Sequence, residues 1–91
     1  MDRKTFHLPT ELQLLRDVNF GLTQVLDNSV SIQWRIDGVL QKEDLVINLE
    51  TGYLKPLSRE NAWAKQRWSQ LQRHVSHIAR YIKHRLEVEQ K

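Results

Sequence analysis

The stretch from Asn61 to Leu86 constrains the fold of this chain most strongly. Ala64, Trp68, Leu71, Val75, Ile78 and Ile82 recur in alternating four- and three-residue steps, and Leu86 prolongs the row. That spacing lays large apolar side chains along one side of a helix, close to the repeat of a coiled-coil seam. Pro56-Leu57-Ser58 marks the boundary before it, with Ser58 as the expected N-cap and Glu60 in the first turn, where amide dipoles favour an acid. The predicted helix covers 58–88 and is about 40 Å long at ~1.5 Å per residue.

The polar side of the same segment is as one-sided as the apolar one. It carries Lys65, Arg67, Arg73, Arg80, Lys83 and Arg85 and no Asp or Glu. His74, His77 and His84 are interspersed, and they gain positive charge on mild acidification. On a helical wheel Arg73, His77, Arg80 and His84 lie opposite the seam, flanked by Arg67 and Arg85. The net charge of +3 therefore hides an asymmetry. Residues 1–57 hold six basic and eight acidic side chains, whereas 58–91 hold eight basic and three acidic. Separation of this kind produces a directional field that attracts anionic partners.

Upstream, the spacing of Leu12, Leu15, Val18, Leu22, Val25 and Leu26 predicts a first helix over 8–27, beginning near Thr10 with Gln13 at the capping-box position. The period then changes. Val30, Ile32, Trp34 and Ile36 alternate with Ser31, Gln33 and Arg35, as in an antiparallel strand covered on one face. Asp37-Gly38 is a strong hairpin turn, Val39-Leu40 begins a return strand, Leu45, Ile47 and Leu49 alternate again, and Thr51-Gly52 supplies a second turn. The β region spans 29–55.

The expected architecture is α+β, a single domain over 1–91. Its order is helix, antiparallel β-hairpin or short three-stranded meander, and long C-terminal helix. Strands of about 20 Å cannot cover a helix of about 40 Å. The uncovered part of the seam is expected to meet a second copy, so a homodimer follows, with Trp63, Trp68, Leu71, Val75, Ile78 and Ile82 as interface candidates.

Other chemistries have less to stand on. Cysteine is absent, so the fold uses no disulfide. Neither an apolar leader segment at the N-terminus nor a run long enough to span a bilayer is present, and a cytoplasmic protein without membrane association is expected. The histidines have no Cys, Asp or Glu beside them within 61–86 and make no HExxH pattern, so no metal is expected. His77 adjoins Ser76 in sequence and so points to a different side of the helix. Gly21, Gly38 and Gly52 are isolated and form no phosphate loop. No catalytic residue or cofactor is expected.

Among the aromatics, Trp34 and Trp68 fall in register with apolar neighbours, whereas Trp63 and Tyr81 lie off the seam and are the better contact candidates. Lys65, Arg67, Arg73, His77, Arg80, Lys83 and His84 form a surface suited to neutralising phosphates. The sequence thus favours a small non-enzymatic protein contacting DNA or RNA, possessing the character of a regulator. The alternative is an adaptor, inhibitor or chaperone-like protein binding another protein through the helix seam and Trp63.

Overall fold

Strand alternation extends further along this chain than its apolar spacing suggests. The computed structural model describes residues 4–89, so the outermost residues of the 1–91 span lie outside it. In chain order the elements are β1 (Lys4–Phe6), α1 (Thr10–Gln13), β2 (Leu14–Leu15), β3 (Val18–Leu26), β4 (Ser29–Ile36), β5 (Val39–Leu40), β6 (Leu45–Asn48), α2 (Ala62–Gln66) and α3 (Trp68–Glu89). The strands make one antiparallel six-stranded sheet with β3 and β4 at its centre. The long C-terminal helix packs on one face, so the fold is a small α+β arrangement.

The helix predicted over 8–27 is corrected to a single turn, α1, followed by strands. The reason is a bulge in β3. Phe20 pairs with Trp34 and Thr23 with Ile32, so three steps along β3 oppose two along β4. The inward residues become Val18, Phe20, Thr23 and Val25, a pattern whose extra residue breaks period two and imitates helical spacing. Leu22 and Leu26, assigned to a buried stripe, instead stand 50% and 40% exposed on the far face of the sheet. Gln13 does not close a capping box either, since its amide donates to Leu8 O at 2.7 Å.

The turn signals hold where they were strongest. Asp37 and Gly38 both take positive φ, 51° and 80°, and join Ile36 to Val39 as an Asp-Gly hairpin should. β4 places Val30, Ile32 and Trp34 inward as its alternation requires. Trp34 is buried, and its Nε1–H donates to Glu43 O at 2.8 Å, so the indole enters the core with its polar atom satisfied.

The start of the second helical region is also corrected. Asn61, not Ser58, is the N-cap, its side chain accepting from Ala64 N at 3.0 Å. Ser58 belongs to a loop held by Glu43, whose carboxylate accepts from Ser58 N at 2.9 Å, Ser58 Oγ at 2.7 Å and Arg59 N at 3.2 Å. These donors, the Ser58 amide first, hold the Glu43 carboxyl below its ordinary value. Helical geometry lapses once more at Arg67, with φ −120° and ψ 27°, which separates α2 from α3.

Leu71, Val75, Ile78, Ala79 and Ile82 of α3 are buried with Val30, Ile32, Leu45 and Ile47 of the sheet in one core. Each fully buried aliphatic side chain contributes roughly 1.5–3 kcal/mol, so this face holds the layers together. The seam side chains Leu71, Val75, Ile78 and Ile82 are therefore covered by the chain's own sheet. The nine-residue β3 is about 30 Å long and the 22-residue α3 about 33 Å. At the far end, Lys4 of β1 pairs with Glu89 and ties the sheet to the last turn of α3.

Candidate nucleic-acid interface

Burial of one side of α3 fixes which side faces outward. Gln70, Arg73, His77, Arg80 and His84 are exposed and alternate by three and four residues, so they form one row opposite the buried stripe. From Arg73 to His84 the row is about 16 Å long, the axial length of about five nucleotides of one duplex strand. Lys83 is exposed on the flank of the row. The ion pairs among the described residues are Lys4–Glu89 and Arg85–Glu89, the latter at 3.9 Å. Arg73, Arg80 and Lys83 thus have no carboxylate partner there, and their charge is directed to solvent.

The remaining predicted residues are distributed differently. Lys65 is exposed on α2, beside an apolar groove of about 360 Å³ walled by Leu57, Ala64 and Trp68. The Arg67 guanidinium lies over the Trp63 ring, 5.0 Å from its centroid, an arrangement that shields one face of the indole. Arg67 also faces Arg16 and Gln70 across a polar cleft of about 270 Å³ that Asp17 shares. Arg16 therefore extends the positive surface onto the β2–β3 turn, which one-helix reasoning had not reached.

His74 leaves the basic face altogether. Its ring stacks on Phe20 with centroids 5.1 Å apart and planes 11° from parallel, and its Nε2–H donates to Leu12 O at 3.1 Å. It packs the helix against the sheet. No three His, Cys, Asp or Glu side chains among the described residues converge as metal ligands do. Nor is any helix among them long and apolar enough to cross a membrane.

The proposed interface residues also divide. Leu71, Val75, Ile78 and Ile82 are fully buried within the chain and offer no surface to a partner in this conformation. Trp63 and Trp68 are half-buried against the core. Trp63 meets Trp34 edge-on at 6.2 Å, and its Nε1 is buried without a hydrogen-bond partner among the described residues. Tyr81 is half-buried too. Both aromatics singled out in the sequence are thus largely absorbed by packing.

The aromatic that sequence reasoning passed over is Tyr53. It is 72% exposed and follows the Thr51-Gly52 turn, next to buried Leu54. Alternation with Leu54 was the available signal, since a residue beside an inward leucine in extended chain points outward. No protein family, characterised protein or solved structure matches this chain.

Proposed function

We propose that this chain is a small non-enzymatic nucleic-acid-binding protein that acts in the cytoplasm, with the character of a regulator. It contacts phosphates through the outer face of its C-terminal helix. The observation that carries this reading is the exposed row Arg73, His77, Arg80 and His84, whose arginines have no carboxylate partner among the described residues and which stands on a helix anchored by its opposite face. The helix that carries the row is already folded when a polyanion arrives, so none of the electrostatic attraction is offset by ordering its backbone. Lys83 flanks the row, and Arg67 with Arg16 extends it toward the β2–β3 turn. Each arginine that neutralises a phosphate releases condensed counterions, which makes binding weaken steeply with salt.

The test is fluorescence anisotropy of a labelled oligonucleotide with the parent chain and with the double charge reversal Arg73→Glu/Arg80→Glu. The reading expects salt-sensitive binding by the parent and none by the variant, with the thermal unfolding of both superimposable. Equal binding by the two chains would refute it.

A second reading rests on the open face of the sheet. Leu14, Asn19, Arg35 and Leu40 are register partners across β2, β3, β4 and β5, and Leu22 and Leu26 share their side. Half-exposed leucines on an uncovered sheet suit a partner protein or a second copy of this chain better than the helix seam does. Association through this face would depend little on salt and would be seen as a concentration-dependent mass in light scattering.

A further inference from the structure

Tyr53 has a setting that a stray surface aromatic lacks. The turn that carries it is fixed from both sides. Asn48 Oδ1 accepts from Glu50 N at 2.8 Å and Thr51 N at 3.0 Å, while Gly52 N donates to Asn48 O at 2.8 Å. From α3, Gln72 Nε2 donates to Gly52 O at 2.6 Å, Ser76 Oγ donates to the same oxygen at 2.9 Å, and Leu54 N donates to Gln72 Oε1 at 2.8 Å. Gly52 takes φ 74°, a left-handed conformation that glycine adopts without strain. The helix thus clamps the residues on both sides of Tyr53, leaving the ring itself in solvent.

What lies beside the turn is equally specific. Tyr53 borders a cleft of about 370 Å³ between this turn and α3, with Gln72, Ser76, Arg80 and Lys83 on the helical wall and Glu50 at the turn. Two cations against one carboxylate leave the cleft net positive. Arg80 belongs both to this cleft and to the exposed row, so the aromatic platform is continuous with the phosphate track. A planar π surface beside two phosphate-binding side chains is the combination that single-stranded nucleic acids use. Their bases are free to stack while their backbone follows a basic groove, whereas a duplex keeps its base faces covered.

We propose that Tyr53 is a stacking platform for one base of a single-stranded nucleic acid, with Arg80 and Lys83 holding the adjoining phosphates. The proposal rests on the phosphate-binding role of α3 and names the class of nucleic acid bound there. Glu50 on the turn side repels phosphate and keeps the backbone on the helical wall, so that the base is directed to Tyr53.

The experiment is an anisotropy titration of labelled oligothymidylate, oligouridylate and a mixed-sequence duplex with the parent chain, Tyr53→Ala, Tyr53→Phe and Tyr53→Trp. Tyr53→Ala should weaken single-strand binding roughly 5- to 150-fold, the range expected for one lost base–aromatic stack. Its salt slope and its duplex affinity should equal the parent's, because no phosphate contact is removed. Tyr53→Phe and Tyr53→Trp should retain binding, and the tighter of the two single strands identifies DNA or RNA as the source of the base. Unchanged single-strand affinity in Tyr53→Ala would overturn the stacking role while leaving phosphate binding by the parent in place. A loss in Tyr53→Ala that Tyr53→Phe shares would overturn it too, since the hydroxyl rather than the ring would then make the contact. Failure of the parent to bind any of the three oligonucleotides at low salt would overturn both the stacking role and the phosphate reading beneath it.

Discussion

The two long sides of α3 answer to different physics. Leu71, Val75, Ile78 and Ile82 are closed off by the chain's own sheet, while Arg73, His77, Arg80 and His84 face water. Substitution on the first side removes packing that nothing replaces. On the second it removes charge that the fold does not use. The contrast teaches that a heptad-like row does not by itself imply a second helix or a second subunit. One face of the chain's own sheet covers the same row.

Five predictions press on that contrast. The largest effect is expected from Ile78→Ala, which leaves a cavity between α3 and the sheet and should lower unfolding free energy by about 2–5 kcal/mol. Urea unfolding followed by circular dichroism measures it, and a change under ~0.5 kcal/mol would show that the helix is not seated as described. Next is Asn61→Ala, which removes the side chain that accepts from Ala64 N and should cost about 1 kcal/mol by the same measurement. By contrast Ser58→Ala should leave the α2 amides as protected as before, because Ser58 caps no helix.

A smaller and local effect is expected from acid. Hydrogen bonds from Ser58 and Arg59 hold the Glu43 carboxyl below its ordinary value of 4.5. A lowered folded-state pKa means that the carboxylate's stabilisation is fully present above the ordinary value and is lost as pH falls through the lowered one. The Ser58 and Arg59 amide resonances should therefore shift together on acidification below 4.5, ahead of global unfolding. Static amides through that range would contradict the Glu43 clamp. The smallest effect belongs to the open sheet face, where Leu22→Ser should change stability by no more than ~0.5 kcal/mol. A large loss there would mean that the face is covered in solution.

Legibility in the sequence follows from whether a signal is local. β4 was readable because its alternation is unbroken and ends in Asp37-Gly38, and α3 because its apolar row is long. β3 was not readable, since its bulge depends on pairing with β4 and its outward leucines filled out a helical stripe. The helix start was ambiguous because Ser58 and Asn61 are both good caps. The choice is made by Glu43, fifteen residues before Ser58. The basic row was legible as composition, but His74 leaves it for Phe20 and Arg67 turns onto Trp63 only in three dimensions. Tyr53 was hidden for the same reason, as the bonds that present it come from Gln72 and Ser76.

The most direct measurement of the central claim compares the two faces of the molecule by salt dependence. Oligonucleotide affinity would be recorded between about 50 and 200 mM salt for the parent, for Arg73→Ala/Arg80→Ala on α3, and for Arg35→Ala on the open sheet face. Phosphate binding by α3 predicts that the α3 pair lowers the slope of log affinity against log salt by about 1.4 on a single strand and about 1.8 on a duplex, and that Arg35→Ala leaves it unchanged. A slope that falls with Arg35→Ala but not with the α3 pair would place the phosphates on the sheet and not on α3.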